Sequence, residues 1–421
     1  MADRTYQVVI WGGTGFVGKL VAEHIARDYA GKFRWAMAAR NKAKLEGVRN
    51  ELVKVNQDLE NIPLLIADTK DQASIDDVVK QAKVVIACAG PYAQLGTPVV
   101  DACVRLGTHY VDITGEVPWV ARTIKKYHAQ AFANRVKIVH MCGFDSIPSD
   151  LGAHLVATTI EKQYHRKTAK VRVLQGKAAG AVSGGTLASL MGAIFEETPE
   201  ELKLSADPYA LNPPEAHRGP DKGDFWGPAY DKLGRAWTMP FVMQAINTRV
   251  VRRSNALLGN AYGENFSFTE AMEVPNVFAA YLGSFALVMA YLVISVPFLR
   301  PLVMRLLPKP GEGPSKKQQV EGFWNARAIG VSEALVGEEP VKVVATLGGH
   351  RDPGYWETSR MLLESALCLA QQEEELKKAG KLQGGVLTPA SAMGMLLIDR
   401  LNKAGMTFKI ESSSAAVVSE E

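Results

Sequence analysis

Hydrophobic positions run without interruption from Val8 to Trp11, and after a glycine-rich turn they change rhythm, with Phe16, Val17, Leu20, Val21 and Ile25 recurring at helical spacing. A short apolar run followed by a period near 3.6 predicts a strand feeding directly into an amphipathic helix. The same alternation recurs down the first third of the chain. Strands are expected at 7–12, 33–39, 62–67, 84–89, 109–113 and 136–142, separated by helical stretches such as Asn41 to Asn56 and Gly96 to Leu106. Six strands separated by helices predict an α/β fold, a doubly wound parallel sheet of the Rossmann type with right-handed crossovers. Its ligand crevice should lie beyond the carboxyl ends of the strands.

After Tyr164 the rhythm alters. Lys170 to Gln175 and Val341 to Leu347 read as strands, with Asn265 to Glu273 and Phe323 to Gly330 as further candidates, which predicts a second α/β domain with a mixed sheet. A Pro/Gly-rich loop spans Ala206 to Ala229, and a flexible connector is expected from Pro308 to Lys317. A long helix is predicted from Tyr355 to Ala379, another opening at Pro389, and the last ten residues read as disordered. The expected division is 1–150 for the first domain and 151–350 for the second, with an apolar insertion at 274–307 and the connector at 308–317. Residues 351–421 would supply helices packing back on the first domain.

One segment departs from the soluble pattern: Val274 to Leu299 is a run of 26 residues without a charge, above the roughly 20 needed to cross a bilayer. A single crossing would place the strands after 320 on the opposite side from the strand at 170–175, so they could not complete one sheet. A re-entrant or interfacial insertion is therefore favoured over a span or a buried helix, with Pro297 and Pro301 breaking the helix. Arg300, Arg305 and Lys309 would then meet anionic head groups.

Composition narrows the partners. The 421 residues, 47% hydrophobic and 22% charged, suit two globular domains at about 100–200 residues each. A net charge of +4 without basic runs interleaved with aromatics gives no nucleic-acid footprint. Cys88, Cys103, Cys142 and Cys368 lack metal or disulfide spacing, so no metal site is expected and a reducing, cytosol-facing location fits. The N-terminus enters the first strand without a signal-peptide hydrophobic region.

The turn after the first strand carries the chemistry. Gly13, Gly15 and Gly18 satisfy Gly-x-Gly-x-x-Gly, and Gly12 extends the pattern; with Thr14, Phe16 and Val17 they form a loop whose backbone N–H groups face a dinucleotide diphosphate at a helix N-terminus. The strand–turn–helix context supports the motif. Arg40 ends the second strand where NAD-specific proteins place an acidic residue, which favours NADP over NAD, although an exposed arginine opening the next helix is the alternative. Asp68, ending the third strand, either reaches the adenine or caps the next helix. Ala89, Gly90 and Pro91, after the fourth strand, leave room for the nicotinamide ribose.

Tyr92, Glu116 and Asp145 are the candidate proton donors. Tyr92 either stacks or donates a hydrogen bond, and Asp145 either contacts substrate at the interdomain hinge or shares with Ser146 and Ser149 the capping of a helix with Pro148 in its first turn. Cys88 reads as a small buried group rather than a nucleophile. None of the tyrosines has a lysine four residues later, which disfavours short-chain dehydrogenase chemistry. His109, His128 and His140 lack ligand or carboxylate spacing and read as core or surface residues. Ser183 to Ser189 either binds a substrate carbonyl or phosphate or opens a helix, and the role of Arg351 to Tyr355 is open.

Taken together, Gly12-Gly-Thr-Gly-Phe-Val-Gly18, Ala38-Ala-Arg40, Cys88-Ala-Gly-Pro-Tyr92, the Gly107 to Glu116 stretch, Gly143-Phe-Asp-Ser-Ile-Pro-Ser-Asp-Leu-Gly152, Ser183-Gly-Gly-Thr186, Asp352-Pro-Gly-Tyr355 and Gly385 to Gly394 resemble the saccharopine dehydrogenase-like oxidoreductases. That family includes trans-acting enoyl reductases of complex-lipid synthesis and a branch found on lipid droplets and membranes. The resemblance implies NADP-dependent reduction of a carbonyl or activated double bond in a lipid-like substrate, at a membrane or lipid-droplet surface reached through 274–307. Authentic saccharopine reductases carry Gly-Leu-Asp-Pro-Gly-x-Asp-His where Gly143 to Asp150 stand here; the missing histidine and Pro-Gly pair disfavour saccharopine as substrate. A non-catalytic NADP-binding scaffold at a lipid surface is the alternative, and a homodimer is compatible with either.

Overall fold

The computed structural model describes residues 4–180, 198–296 and 315–415. Six parallel strands form where the apolar runs lie: β1 (Tyr6–Trp11), β2 (Trp35–Ala39), β3 (Leu64–Ile66), β4 (Ala82–Ala87), β5 (His109–Asp112) and β6 (Lys137–Val139). Their order is β6-β5-β4-β1-β2-β3, so the winding reverses between β1 and β4. Such a switch point opens a crevice at the carboxyl ends of the two strands.

Past β6 the helix Ile147–Tyr164 runs into the second sheet, which is built from β7 (Thr168–Ala179), β8 (Ala229–Asp231), β9 (Ala236–Met239), β10 (Ser267–Val274), β11 (Phe323–Ser332) and β12 (Val341–Gly349). The last stretch of chain then serves both domains. β13 (Gly385–Leu387) adds a seventh parallel strand beside β6, and β14 (Thr407–Ala415) lies antiparallel to β12. The second sheet is ordered β14-β12-β11-β7-β10-β9-β8, and β7 with β10 is its parallel pair, so the sheet is mixed. One apolar core passes from Val8, Ile10 and Ile86 through Ile147 and Leu151 to Val171 and Val343, joining the two sheets.

Several expectations change. Residues 412–415 are paired with β12 rather than disordered, because β12 otherwise presents an open edge. The expected connector is already helical at Lys316–Glu321, where Ser315 and Gln318 close a capping box, while 308–314 lie outside the described residues. The predicted Tyr355–Ala379 helix is divided into Thr358–Gln371 and Glu373–Lys378. Nor does the C-terminal region pack on the first domain alone, since β14 completes the second sheet.

The apolar segment is the helix Val277–Ser295, capped by Asn276 and seated on β9. Gly283 lets it approach Met239, since a Cβ there would stand 2.3 Å from Met239 Sδ. Ala280 and Ser284 are buried, whereas Phe278, Tyr281, Leu282 and Phe285 are 81%, 63%, 71% and 64% exposed. The buried-helix alternative is thus overturned for the single chain. Strands on either side of the helix, β10 and β11, both flank β7 in one sheet. No described helix is long and apolar enough to cross a membrane. Pro297, Arg300, Pro301, Arg305 and Lys309 lie outside the described residues.

Candidate functional site

β1 ends in Trp11, and the chain turns at Gly12 with φ +84°, a left-handed geometry that costs glycine least. A Cβ at Gly18 would sit 2.4 Å from the Gly12 carbonyl oxygen, so the helix Phe16–Asp28 can meet its own turn only with glycine there. Gly15 is the N-cap and brings no side-chain cap, and no acidic residue occupies the first turn. The leading N–H groups of that helix, beginning at Phe16, Val17 and Gly18, have no intrahelical acceptor, and the helix dipole leaves them attractive to an anion. Gly13 is buried over Met37 of β2, and Thr14 is half-buried at the turn.

The neighbouring strand ends complete the cleft. Ala89 backs onto Gly12, where an added Cβ would stand 3.0 Å from the Ala89 Cβ, and half-buried Pro91 and exposed Gly90 continue the wall. Arg40 is exposed just past β2, and the helix cap that follows is Asn41, which accepts from Lys44 N at 3.0 Å. Asp68 does not cap its helix: Asp71 does, accepting from the Ala73 and Ser74 N–H groups, while Asp68 Oδ1 accepts from Lys70 N within its own turn. These residues fit a dinucleotide carrying a 2′-phosphate.

The three candidate proton donors separate. Tyr92 is buried, its hydroxyl donates to the Ala87 carbonyl at 2.9 Å and its ring stacks on Trp119, so it faces the core rather than the cleft. Burial raises its pKa well above the usual phenol value. Glu116 accepts from the Tyr92 and Ala93 N–H groups at 2.9 and 2.7 Å, which makes it the cap of the turn Tyr92–Leu95. Both side chains hold structural contacts in this fold. Asp145 differs, because its Oδ2 is buried without a hydrogen-bond partner among the described residues. Burial, assisted by the Asp112 charge and opposed by backbone hydrogen bonds, lifts its pKa to about 7. It lies beyond β6 at the switch-point side of the sheet, folded over Gly143 and beside Thr358.

The capping reading of its neighbours also changes. The helix Ile147–Tyr164 has no side-chain cap; instead Ser146 Oγ donates to Asn247 Oδ1 at 2.9 Å and Ser149 Oγ to Glu270 Oε1 at 2.6 Å. Asp150 accepts from Ser254 Oγ at 2.5 Å and from Ala390 N at 2.8 Å. The motif rivets the domains together.

Comparison with known proteins now bears on this geometry. Residues 8–139 match the saccharopine dehydrogenase NADP binding domain. The chain is 35% identical over 422 residues to the trans-acting enoyl reductase of Mycobacterium leprae (strain TN), covering 96% of this chain and 97% of that one. It is likewise 35% identical over 424 residues to the trans-acting enoyl reductase of Mycobacterium tuberculosis (strain ATCC 25618 / H37Rv), with the same coverage. The chain belongs to the saccharopine dehydrogenase-like oxidoreductases. Among solved structures it resembles the apo saccharopine dehydrogenase (L-Glu forming) of Saccharomyces cerevisiae, with a TM-score of 0.52 across 97% of this chain and all of that one. At 14% identity that likeness concerns the fold.

As a saccharopine dehydrogenase-like protein, the chain is an NAD(P)-dependent oxidoreductase whose cofactor is NADP. Two features of its site escape local sequence spacing. His140 pairs with Asp112, Nδ1 to Oδ2 at 2.7 Å, across neighbouring strands, and Asp112 Oδ1 also accepts from Met141 N and Thr114 N. This pair positions the loop that carries Asp145. The Arg351–Tyr355 motif braces the nucleotide helix: Asp352 accepts from Tyr355 N at 2.8 Å, and the Tyr355 ring meets Phe16 edge-on at 5.1 Å. Ser183 to Ser189 lies outside the described residues.

Proposed function

We propose that this protein is an NADPH-dependent reductase of a carbonyl or activated double bond in a lipid-like substrate, working on the cytosolic face of a membrane or lipid droplet. The observation that carries the reading is that one chain, whose two sheets share a core, holds both an anion-ready nucleotide turn and an exposed apolar helix seated on the second sheet. The names of the relatives, trans-acting enoyl reductases, support the substrate class.

Backbone N–H groups of Thr14, Phe16, Val17 and Gly18 would hold the diphosphate, those of Gly12, Gly13 and Gly15 being bonded within the turn and to β2; Arg40 would hold the 2′-phosphate and Asp68 the adenine. Ala89, Gly90 and Pro91 would flank the nicotinamide ribose. When bound, the nicotinamide supplies hydride. Asp145 holds a proton near neutral pH because burial disfavours its charged form and its Oδ2 has no hydrogen-bond donor among the described residues. That makes it the group able to protonate a developing oxyanion or carbanion. Phe278, Tyr281, Leu282 and Phe285 would enter the lipid interface.

The test is NADPH oxidation by the full chain against enoyl and keto acyl lipids presented in phosphatidylcholine vesicles. Turnover that depends on the vesicle-borne lipid is expected. NADPH binding without oxidation across the panel would overturn the reductase and leave a lipid-surface scaffold. If the chain fails to float with vesicles and is dimeric in solution, the helix serves a second copy instead.

A further inference from the structure

A cavity of about 410 Å³ opens at the other end of the first sheet. The nucleotide turn follows the carboxyl end of β1, whereas His109 and Lys137, both in the cavity wall, are the first residues of β5 and β6. The wall carries four cations, Arg4, Arg135, Lys137 and Lys377, against one carboxylate, Glu373. That carboxylate is already claimed, since Lys377 Nζ lies 3.2 Å from it.

Lys137 is 6% exposed, yet no described carboxylate pairs with its ammonium. Lys137 shares the cavity wall with Glu373 and Lys377. A buried ammonium without a counter-charge is costly, and here burial pulls its pKa below the usual lysine value. Its backbone N–H donates to His109 Nδ1 at 3.0 Å, so the neutral His109 ring carries its proton on Nε2 as a second buried donor. Arg4 spends its guanidinium on the neutral carbonyls of Lys80, Leu106 and Gly107 and meets no carboxylate among the described residues. Leu369 and Leu376 supply an apolar side.

We propose that this cavity binds a small-molecule oxyanion, a carboxylate or phosphate compound, at a site separate from the dinucleotide. Lys137 supplies the buried charge, His109 a neutral donor, and Arg135 a cation at the rim. The volume lies within the range of small-molecule sites, about 300–1,000 Å³.

The test is calorimetric titration of pyrophosphate and of citrate into the full chain saturated with NADP, so that the glycine turn is occupied. Saturable one-to-one binding of at least one is expected, and the tighter of the two identifies phosphate or carboxylate as the preferred group. Lys137→Met should weaken it about tenfold or more, the scale of one charge-assisted hydrogen bond. Arg135→Asn, which retains the left-handed turn at φ +55°, should weaken it several-fold and covers the case in which Lys137→Met does not fold. Absence of saturable binding for both anions, or wild-type affinity in both variants, would overturn the site.

Discussion

Of Tyr92, Glu116 and Asp145, Asp145 alone keeps an oxygen uncommitted, and its titration makes a two-sided prediction. Its pKa is raised from 3.8 to about 7 in the fold, so the folded state holds the proton more tightly than the unfolded chain. The associated stability is therefore full below the unfolded value and is lost as pH climbs through about 7. Asp145→Asn keeps the shape without the titration, so its melting temperature relative to wild type should rise steadily across that window. If Asp145 delivers the proton, the same variant should lose about 100-fold or more in kcat/KM, and wild-type activity should fall above about pH 7. A variant with wild-type turnover would remove the role. Arg40→Ser tests cofactor choice: losing a charge-assisted contact of about 1.5–3 kcal/mol should raise the Kd for NADPH roughly ten- to a hundred-fold and leave NADH unchanged. Equal losses for both cofactors would show that Arg40 does not read the 2′-phosphate. Arg40 stands out in the sequence because it follows β2 directly, and Asp145 because it lies where the chain leaves β6 for the next helix. The contacts of Tyr92 and Glu116 were not legible, because the groups that engage them, the Ala87 carbonyl and the N–H groups of residues 92 and 93, come together only in the folded chain.

The strands of the first sheet were readable because each is a nearly unbroken apolar run between helical stretches. β13 and β8 were not, since each is three residues long and stands outside the strand–helix alternation that marks β3 and β6. β14 ends in serines and borrows its order from the β12 edge. The helix Val277–Ser295 is the reverse case: its composition was plain, but only the fold shows that the small residues Ala280, Gly283 and Ser284 face β9 while the large ones face outward. Because Phe278 and Phe285 pack on little, replacing both by Asp should leave unfolding free energy within about 0.5 kcal/mol, as at ordinary surface positions. Each phenylalanine gains about 1.5–3 kcal/mol on leaving water, so co-flotation of the double variant with phosphatidylcholine vesicles should drop more than about tenfold. Undiminished flotation would sever the helix from membrane binding.

At the scale of the whole molecule, the two sheets are not separable units. The core is continuous between them, and the buried carboxylate of Glu270 on β10 gathers Ser149 from the linking helix, Gln175 from β7 and Asn247 at 2.6, 2.7 and 2.9 Å. The chain after Gly384 then closes one sheet with β13 and the other with β14. This return was invisible to a reading that divides the chain at residues 150 and 350, because sequence order suggests domains in series. Its consequence is mutual dependence: neither sheet has all its strands until the last residues are in place. Calorimetry of the full chain should show one unfolding transition, and NADP should shift all of it upward, since a ligand that binds only the native state stabilises the whole cooperative unit. Removing residues 385–421 should cost the first domain its folded state, although the glycine turn and all six of its leading strands remain. Two resolved transitions, with only one moved by NADP, would show instead that the first domain folds on its own and that the shared core is an interface between independent parts.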